Sequence, residues 1–350
     1  MTDSRISMLV TADDSTGATE AGAACADVGL YVYVIPIGAV ATATVPHDSC
    51  VVIDLRSRHE TGDEARRRIT ATTTDVHRVH KIDSTLRGNW AAEASALVDG
   101  GRRVVMIPSH PSVGRVCSGG AVYVNGVPVA ESDIGNDPRL PVRSSRPSES
   151  LLGDEVADAT ALEVWLATAT TGIAIVDATT LDDIDRLVAT ALRFPDVVLV
   201  GPASVVAAVA GAWSPECGAA TFPVPQLPPP IIAVCASLHP VSRAQIARLV
   251  EAGIEVVTSP EARTSESVAV ANEVAERARR LVTTTQARSV ILVGGDTAEA
   301  FIGDSVVRVF GSIDVGVSLG DATIDGATLR LACKPGGYGT PNTLVDLVNR

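Results

Sequence analysis

Short apolar runs alternate with amphipathic stretches along the whole chain. The runs at 7–11, 30–35, 50–55, 104–107, 172–177 and 197–200 are nearly continuous in Val, Ile and Leu, the pattern of strands buried on both faces. Ala-rich or amphipathic segments at 17–27, 63–79, 89–99, 154–169 and 181–192 separate them and are predicted as helices. Strands that alternate with helices specify an α/β fold whose parallel sheet is covered on both sides.

At 222–230 the pattern stops. Five prolines in nine residues exclude helix and central strand, so the segment reads as a stiff extended linker. The alternation then restarts, with strands at 231–235, 254–257 and 290–293 and helices at 242–252, 265–283 and 297–310. In the helix at 265–283, Ala271, Val274, Ala275, Ala278, Leu281 and Val282 fall on one stripe at the i, i+3, i+4 spacing. The expectation is an N-terminal domain at 1–221, a linker at 222–230 and a C-terminal domain at 231–350. Each would be a largely parallel sheet flanked by helices, with the active site in the cleft between them.

Composition narrows the function. Net charge is −13 over 350 residues, a poor match for a phosphate backbone, which argues against nucleic acid as a partner. The acidic excess lies almost wholly before residue 231, so the second half is the better seat for a polyanion. No apolar run approaches a membrane span, and the first ten residues lack the apolar stretch of a signal peptide. Six scattered cysteines without a C-x-x-C pair read as free thiols of a cytoplasmic protein. His77 and His80 fall in a segment predicted as helix and are expected to face solvent. Only two of the 28 basic residues are lysine, Lys81 and Lys334, which invites a role for a compact ammonium rather than a planar guanidinium.

Both lysines sit in motifs. Thr11-Ala-Asp13-Asp14-Ser-Thr-Gly-Ala18 joins the first strand to the first helix, where ligands bind in open α/β sheets. Read alone, it serves equally as a helix cap or as an acid–base pair. Asp54-Leu-Arg56-Ser-Arg58 offers guanidinium groups for a carboxylate at the same sheet edge. Lys81-Ile82-Asp83-Ser84-Thr85-Leu86-Arg87-Gly88 crowds mixed charge and hydroxyls ahead of a helix, as a loop binding a small polar anion would. His110 and Arg115 follow the next strand, and Asn125-Gly126 between apolar runs predicts a hairpin. After the linker, Ser237, then Gly294-Gly295-Asp296-Thr297, then Lys334-Pro-Gly336-Gly337-Tyr-Gly339 lie at strand ends. Two glycine loops in one domain fit a phosphate cradle, although neither is a P-loop or a G-x-G-x-x-G fingerprint.

Taken in order, these runs, with Gly114-Arg115, Tyr123-Val-Asn-Gly-Val-Pro and Asp137-Pro138, resemble the four-carbon acid sugar kinase family. The resemblance implies a cytoplasmic two-domain kinase that uses ATP and Mg²⁺ on threonate, erythronate or an oxo-tetronate; a homodimer is compatible with it. It implies an acid-sugar site of Asp13, Asp14, Arg56, Lys81, Ile82, Asp83, Ser84, Arg87 and Arg115, with Asp14 or Asp83 as the catalytic base. It implies an ATP site of Ser237, Gly294, Gly295, Asp296, Thr297, Lys334, Gly336, Gly337 and Gly339, and leaves metal ligands unassigned. This chain departs from the family's glycine loop at Pro335 and Tyr338. Two other readings stay open: a Mg²⁺-dependent hydrolase or aldolase acting on a small sugar acid, and a non-catalytic acid-sugar-binding protein.

Overall fold

The computed structural model describes residues 6–72, 74–137, 139–213, 224–260 and 267–349. They fall into two compact units, one formed by 6–13 and 53–213, the other by 14–52 and 224–349. This differs from the expected division at 222–230. The first helix and second strand join the C-terminal segment, and the chain changes unit between Asp13 and Asp14 and again within the strand Cys50–Asp54. Of the proline segment, residues 222 and 223 lie outside the described residues.

The first unit is built on a parallel sheet. Its strands run in the order Met8–Ala12, His77–Lys81, Val197–Gly201, Arg103–Met106, Gly172–Val176 and Asp154–Val156. Apolar residues such as Val10, Val79, Val105, Leu199 and Ile175 fill its two faces. A separate three-stranded antiparallel sheet spans Arg115–Ser118, Ala121–Val124 and Val127–Pro128. The predicted hairpin is there: Asn125 and Gly126 both have positive φ, 50° and 83°, as a two-residue primed turn requires.

The second unit combines parallel and antiparallel pairing. Strands Glu255–Thr258, Ile231–Cys235, Ser289–Val293 and Ala327–Lys334 are parallel. Val317–Ile324, Val307–Asp314 and Val32–Pro36 extend the sheet antiparallel. The helix Ser15–Ala26 belongs here because its small residues allow close approach: a Cβ on Gly22 would lie 3.1 Å from Val309 and 3.3 Å from Val34. Asp27, just past its end, accepts hydrogen bonds from the backbone N–H and hydroxyl of Ser312 at 2.8 and 2.7 Å.

Three expectations are corrected. The helix expected over 63–79 is Gly62–Thr72, and His77 and His80 lie on a strand, fully buried rather than facing solvent. That strand looks polar in sequence because its ring nitrogens find internal partners instead of water. The helix expected over 154–169 is Ala159–Thr168, capped by Asp158, with the short strand Asp154–Val156 ahead of it. The helix expected over 297–310 is Gly295–Ile302; it stops at Gly303, whose φ of 56° only glycine adopts readily. The next apolar run then enters the antiparallel strands, whose Asp325-Gly326 turn has φ of 49° and 81°. Cys25, Cys50, Cys117, Cys235 and Cys333 are free and buried, and Cys217 lies outside the described residues. No helix among the described residues is long and apolar enough to cross a membrane.

Candidate functional site

In the first unit, polar side chains gather at the carboxyl ends of adjacent strands. Asp13 follows the strand Met8–Ala12, and the Arg58 guanidinium grips its carboxylate with both ends, Nε to Oδ2 at 2.7 Å and Nη2 to Oδ1 at 2.8 Å. The Asp13 carbonyl accepts the backbone N–H groups of Ser57 and Arg58, so the loop after strand Cys50–Asp54 is stitched to the sheet edge. Arg56 in that loop has φ of 50°, unusual for a side-chain-bearing residue, and its backbone N–H donates to Asp54 at 3.2 Å. Gly88 meets the same loop: a Cβ there would lie 3.0 Å from Arg58 Cγ.

Lys81 closes the neighbouring strand and is 5% exposed. Asp83, two residues on, receives Arg87 Nε at 2.9 Å and Nη2 at 3.0 Å, and the Thr85 hydroxyl. Burial alone would raise its pKa, but Arg87, Arg58 and the Thr85 hydroxyl outweigh it and hold Asp83 well below the usual carboxylate range. A carboxylate whose two oxygens are both paired with a guanidinium is a poor proton acceptor, so the candidacy of Asp83 as base gives way to a role in holding Arg87. Arg87 also reaches Asp137 at 3.4 Å; Pro138 lies outside the described residues. Ile82 is fully buried, so it packs the core instead of lining a polar site, while Ser84 is half-buried. Arg115 pairs its backbone with His110 and donates Nη1 to the Val113 carbonyl at 2.8 Å. Burial, Lys81 and Arg115 push His110 down to about 4, so its imidazole is neutral at pH 7.

The second unit carries the glycine loops. Gly294, with φ of 101°, precedes the helix Gly295–Ile302, and its N–H donates to the Lys334 carbonyl at 2.8 Å. Asp14 caps the first helix: Oδ1 accepts Gly17 N–H at 3.0 Å and Oδ2 accepts the Thr16 hydroxyl at 2.7 Å. A Cβ on Gly295 would lie 2.8 Å from Asp14 Oδ2, so glycine here is what lets the carboxylate approach the loop. Asp296 is half-buried in the first turn of the same helix.

Several candidates here shape the cradle. Thr297 spends its hydroxyl on the Ala236 N–H at 3.0 Å. Ser237 Oγ accepts His239 N–H at 3.2 Å, and a Cβ on Gly336 would sit 3.0 Å from it. Exposed Gly337 lies under His239, its Cβ position 3.3 Å from Nε2. Lys334 is fully buried and donates to the carbonyls of Pro335, Gly336 and Tyr338 at 2.6, 3.2 and 2.7 Å. An ammonium has three donors, and all are committed to the loop; Lys334 therefore folds the cradle rather than facing a phosphate. Burial draws it down to about 8. Gln245 braces the same loop through Tyr338 and Thr340, and Gly339, at φ of 84°, leaves Thr343 Oγ1 only 2.5 Å from where a Cβ would be.

Sequence reasoning saw Arg58 within the Arg56-Ser-Arg58 run and Thr16 within a helix start, without giving either a partner; it missed Gln245, which nothing local marks. Among the described residues, no group of three or more His, Cys, Asp or Glu could hold a metal.

The family model for the sugar-binding N-terminal domain matches residues 8–209. A D-threonate kinase of Bordetella bronchiseptica is 28% identical over 321 residues, covering 77% of each chain. A D-threonate kinase of Cupriavidus necator is 36% identical over 137 residues, 37% of this chain and 32% of that one; the match thus spans about a third of that relative. Among solved structures, a Salmonella typhimurium protein superposes with a TM-score of 0.74 at 19% identity, covering 97% of this chain and 98% of its own. A citrate-bound domain-swapped dimer from Bordetella bronchiseptica gives 0.54 at 25% identity, covering 98% and 97%.

Proposed function

The chain belongs to the four-carbon acid sugar kinase family, the one with the sugar-binding N-terminal domain, and on that premise we propose that it transfers the γ-phosphoryl group of ATP to the terminal hydroxyl of a four-carbon sugar acid. The observation that carries this reading is Asp14. It follows Asp13 directly in the chain, yet its carboxylate lies against the glycine loop at Gly295.

Phosphoryl transfer asks for positioning and charge neutralisation more than for covalent chemistry. Lys81, Arg58 and Arg115 supply the positive charge for the acid's carboxylate, and neutral His110 a hydrogen bond for a hydroxyl. Asp14 takes the proton of the attacking hydroxyl while the Thr16 hydroxyl and Gly17 N–H keep its oxygens in place. The amides of Gly295–Thr297 and of Gly336, Gly337 and Gly339 receive the phosphates, where a helix N-terminus favours an anion. Glycine at 295 and 336, where a Cβ would crowd Asp14 and Ser237, keeps the backbone of both loops bare, as a phosphate-binding loop requires. Asp14 and Asp296 are the carboxylates of this unit that would hold Mg²⁺ beside the phosphates. When bound, it supplies charge neutralisation of the transferred group.

The test is ADP release over a panel of threonate, erythronate and oxo-tetronate stereoisomers. Release with one of them supports the kinase. Turnover of the acid without ATP identifies the hydrolase or aldolase, and a melting shift with no turnover identifies a sensor. A homodimer is supported by the swapped dimer of the Bordetella relative and is read by light scattering in solution.

A further inference from the structure

Behind the Asp13–Arg58 pair runs a chain of polar side chains that the steps above do not use. Thr11, Ser57, His77, His80 and Glu93 are all fully buried. Thr11 Oγ1 lies 3.0 Å from His77 Nε2 and 2.9 Å from His80 Nδ1. His80 Nε2 lies 3.1 Å from Glu93 Oε2, and the Ser57 hydroxyl bonds Glu93 Oε1.

With His80 taken as neutral, the hydrogens in this chain run in one direction. His77 Nε2 also lies 3.1 Å from the Val79 carbonyl, which only accepts, so Nε2 carries the hydrogen. Burial and His80 hold His77 down to about 3, and its Nδ1 is bare, matching its lack of a partner. Thr11 then donates to Nδ1 of His80, which turns its Nε2–H to Glu93. Ser57 donates to Glu93 from the other side. Glu93 is therefore the terminal acceptor, and burial, which would raise its pKa, is outweighed by His80, Ser57 and Arg58, leaving it lowered. A buried charge held this way is costly compared with an apolar filling of the same space. It sits beneath one loop: Ser57 is also held by Asn89 Nδ2 on its carbonyl at 2.7 Å and by the Asp13 carbonyl on its N–H at 3.0 Å.

We propose that Glu93 is a positioning residue for acid recognition: by fixing Ser57, the residue directly before Arg58, it holds the loop that keeps the Arg58 guanidinium on Asp13 in the orientation that receives the substrate's anionic end. This rests on the acid-sugar reading of the site. Glu93→Gln keeps the shape and a carbonyl for His80 but removes the charge. The KM for the acid then rises about tenfold, while kcat and the KM for ATP stay within about twofold. Ser57→Ala, which leaves Glu93 in place and tests the link if Glu93→Gln fails to fold, shifts the same constant, and the double variant is no worse than the poorer single. A lowered melting temperature with all three constants unchanged would overturn the proposal. Should the wild-type protein release no ADP with any acid, the functional reading fails by itself, and the crystal structure of Glu93→Gln decides: Arg58 displaced from Asp13 upholds the link, and Arg58 unmoved rejects it.

Discussion

On the proposed reading, the two units would meet anions by opposite means. The share of the first falls to side chains: Arg58 clasps Asp13, Arg87 clasps Asp83, and buried Lys81 ends the strand that leads into the Asp83 loop. The share of the second falls to backbone: glycines at 294, 295, 336 and 337 pack closely against Ser237, Asp14 and His239, and its one lysine is turned inward. A sugar acid differs from its relatives by the placement of hydroxyls and a carboxylate, which directional, ion-paired side chains discriminate. A phosphate chain is the same in every nucleotide, so an array of amides at a helix start suffices.

The contrast can be broken at several points. Asp14→Asn is the severest: asparagine still caps the helix, so stability is kept while kcat falls about 10³-fold with loss of the base; steady-state kinetics beside a thermal melt separates the two. Gly295→Ala pushes a methyl onto Asp14 and is expected to lower kcat/KM for ATP about 10²-fold through displacement of the carboxylate. Calorimetric affinity for the acid alone stays unchanged, as it would not if the loop served both ligands. Lys334→Met strands three loop carbonyls and costs about 2 kcal/mol, a melting decrease of about 5 °C. If it instead weakened ATP binding with no loss of stability, the lysine would be a phosphate ligand after all.

The smallest effect is on pH. His77, held near 3 by burial and His80, and His110, held near 4 by burial, Lys81 and Arg115, are neutral when folded but take up protons when unfolded below about pH 6.5. The unfolded state binds more protons there, so stability falls as pH drops from about 6.5 toward 4, by up to ~1.4 kcal/mol per pH unit for each histidine. Urea titrations across that range should show a shallower slope for His77→Gln.

What the sequence disclosed follows the same division. Glycine loops and the Lys81–Gly88 run are local, so strand-to-helix placement alone located them. The hairpin at Asn125-Gly126 was readable from its turn residues, and Asp325-Gly326 carried the same local signal. The polar strand at His77–Lys81 hid its nature, since its burial depends on Thr11 and Glu93, residues far away in sequence. The membership of Ser15–Ala26 in the second unit was likewise illegible, resting on the fit of Gly22 against Val309.

Both lysines of this chain are enclosed, at 5% and 0% exposure. Amine-directed reagents such as trinitrobenzenesulfonate therefore find no freely accessible lysine on the native protein. Each modification has to wait for a local opening, and the two rates, resolved by peptide mapping, report separately how often the strand end at Lys81 and the glycine loop at Lys334 breathe.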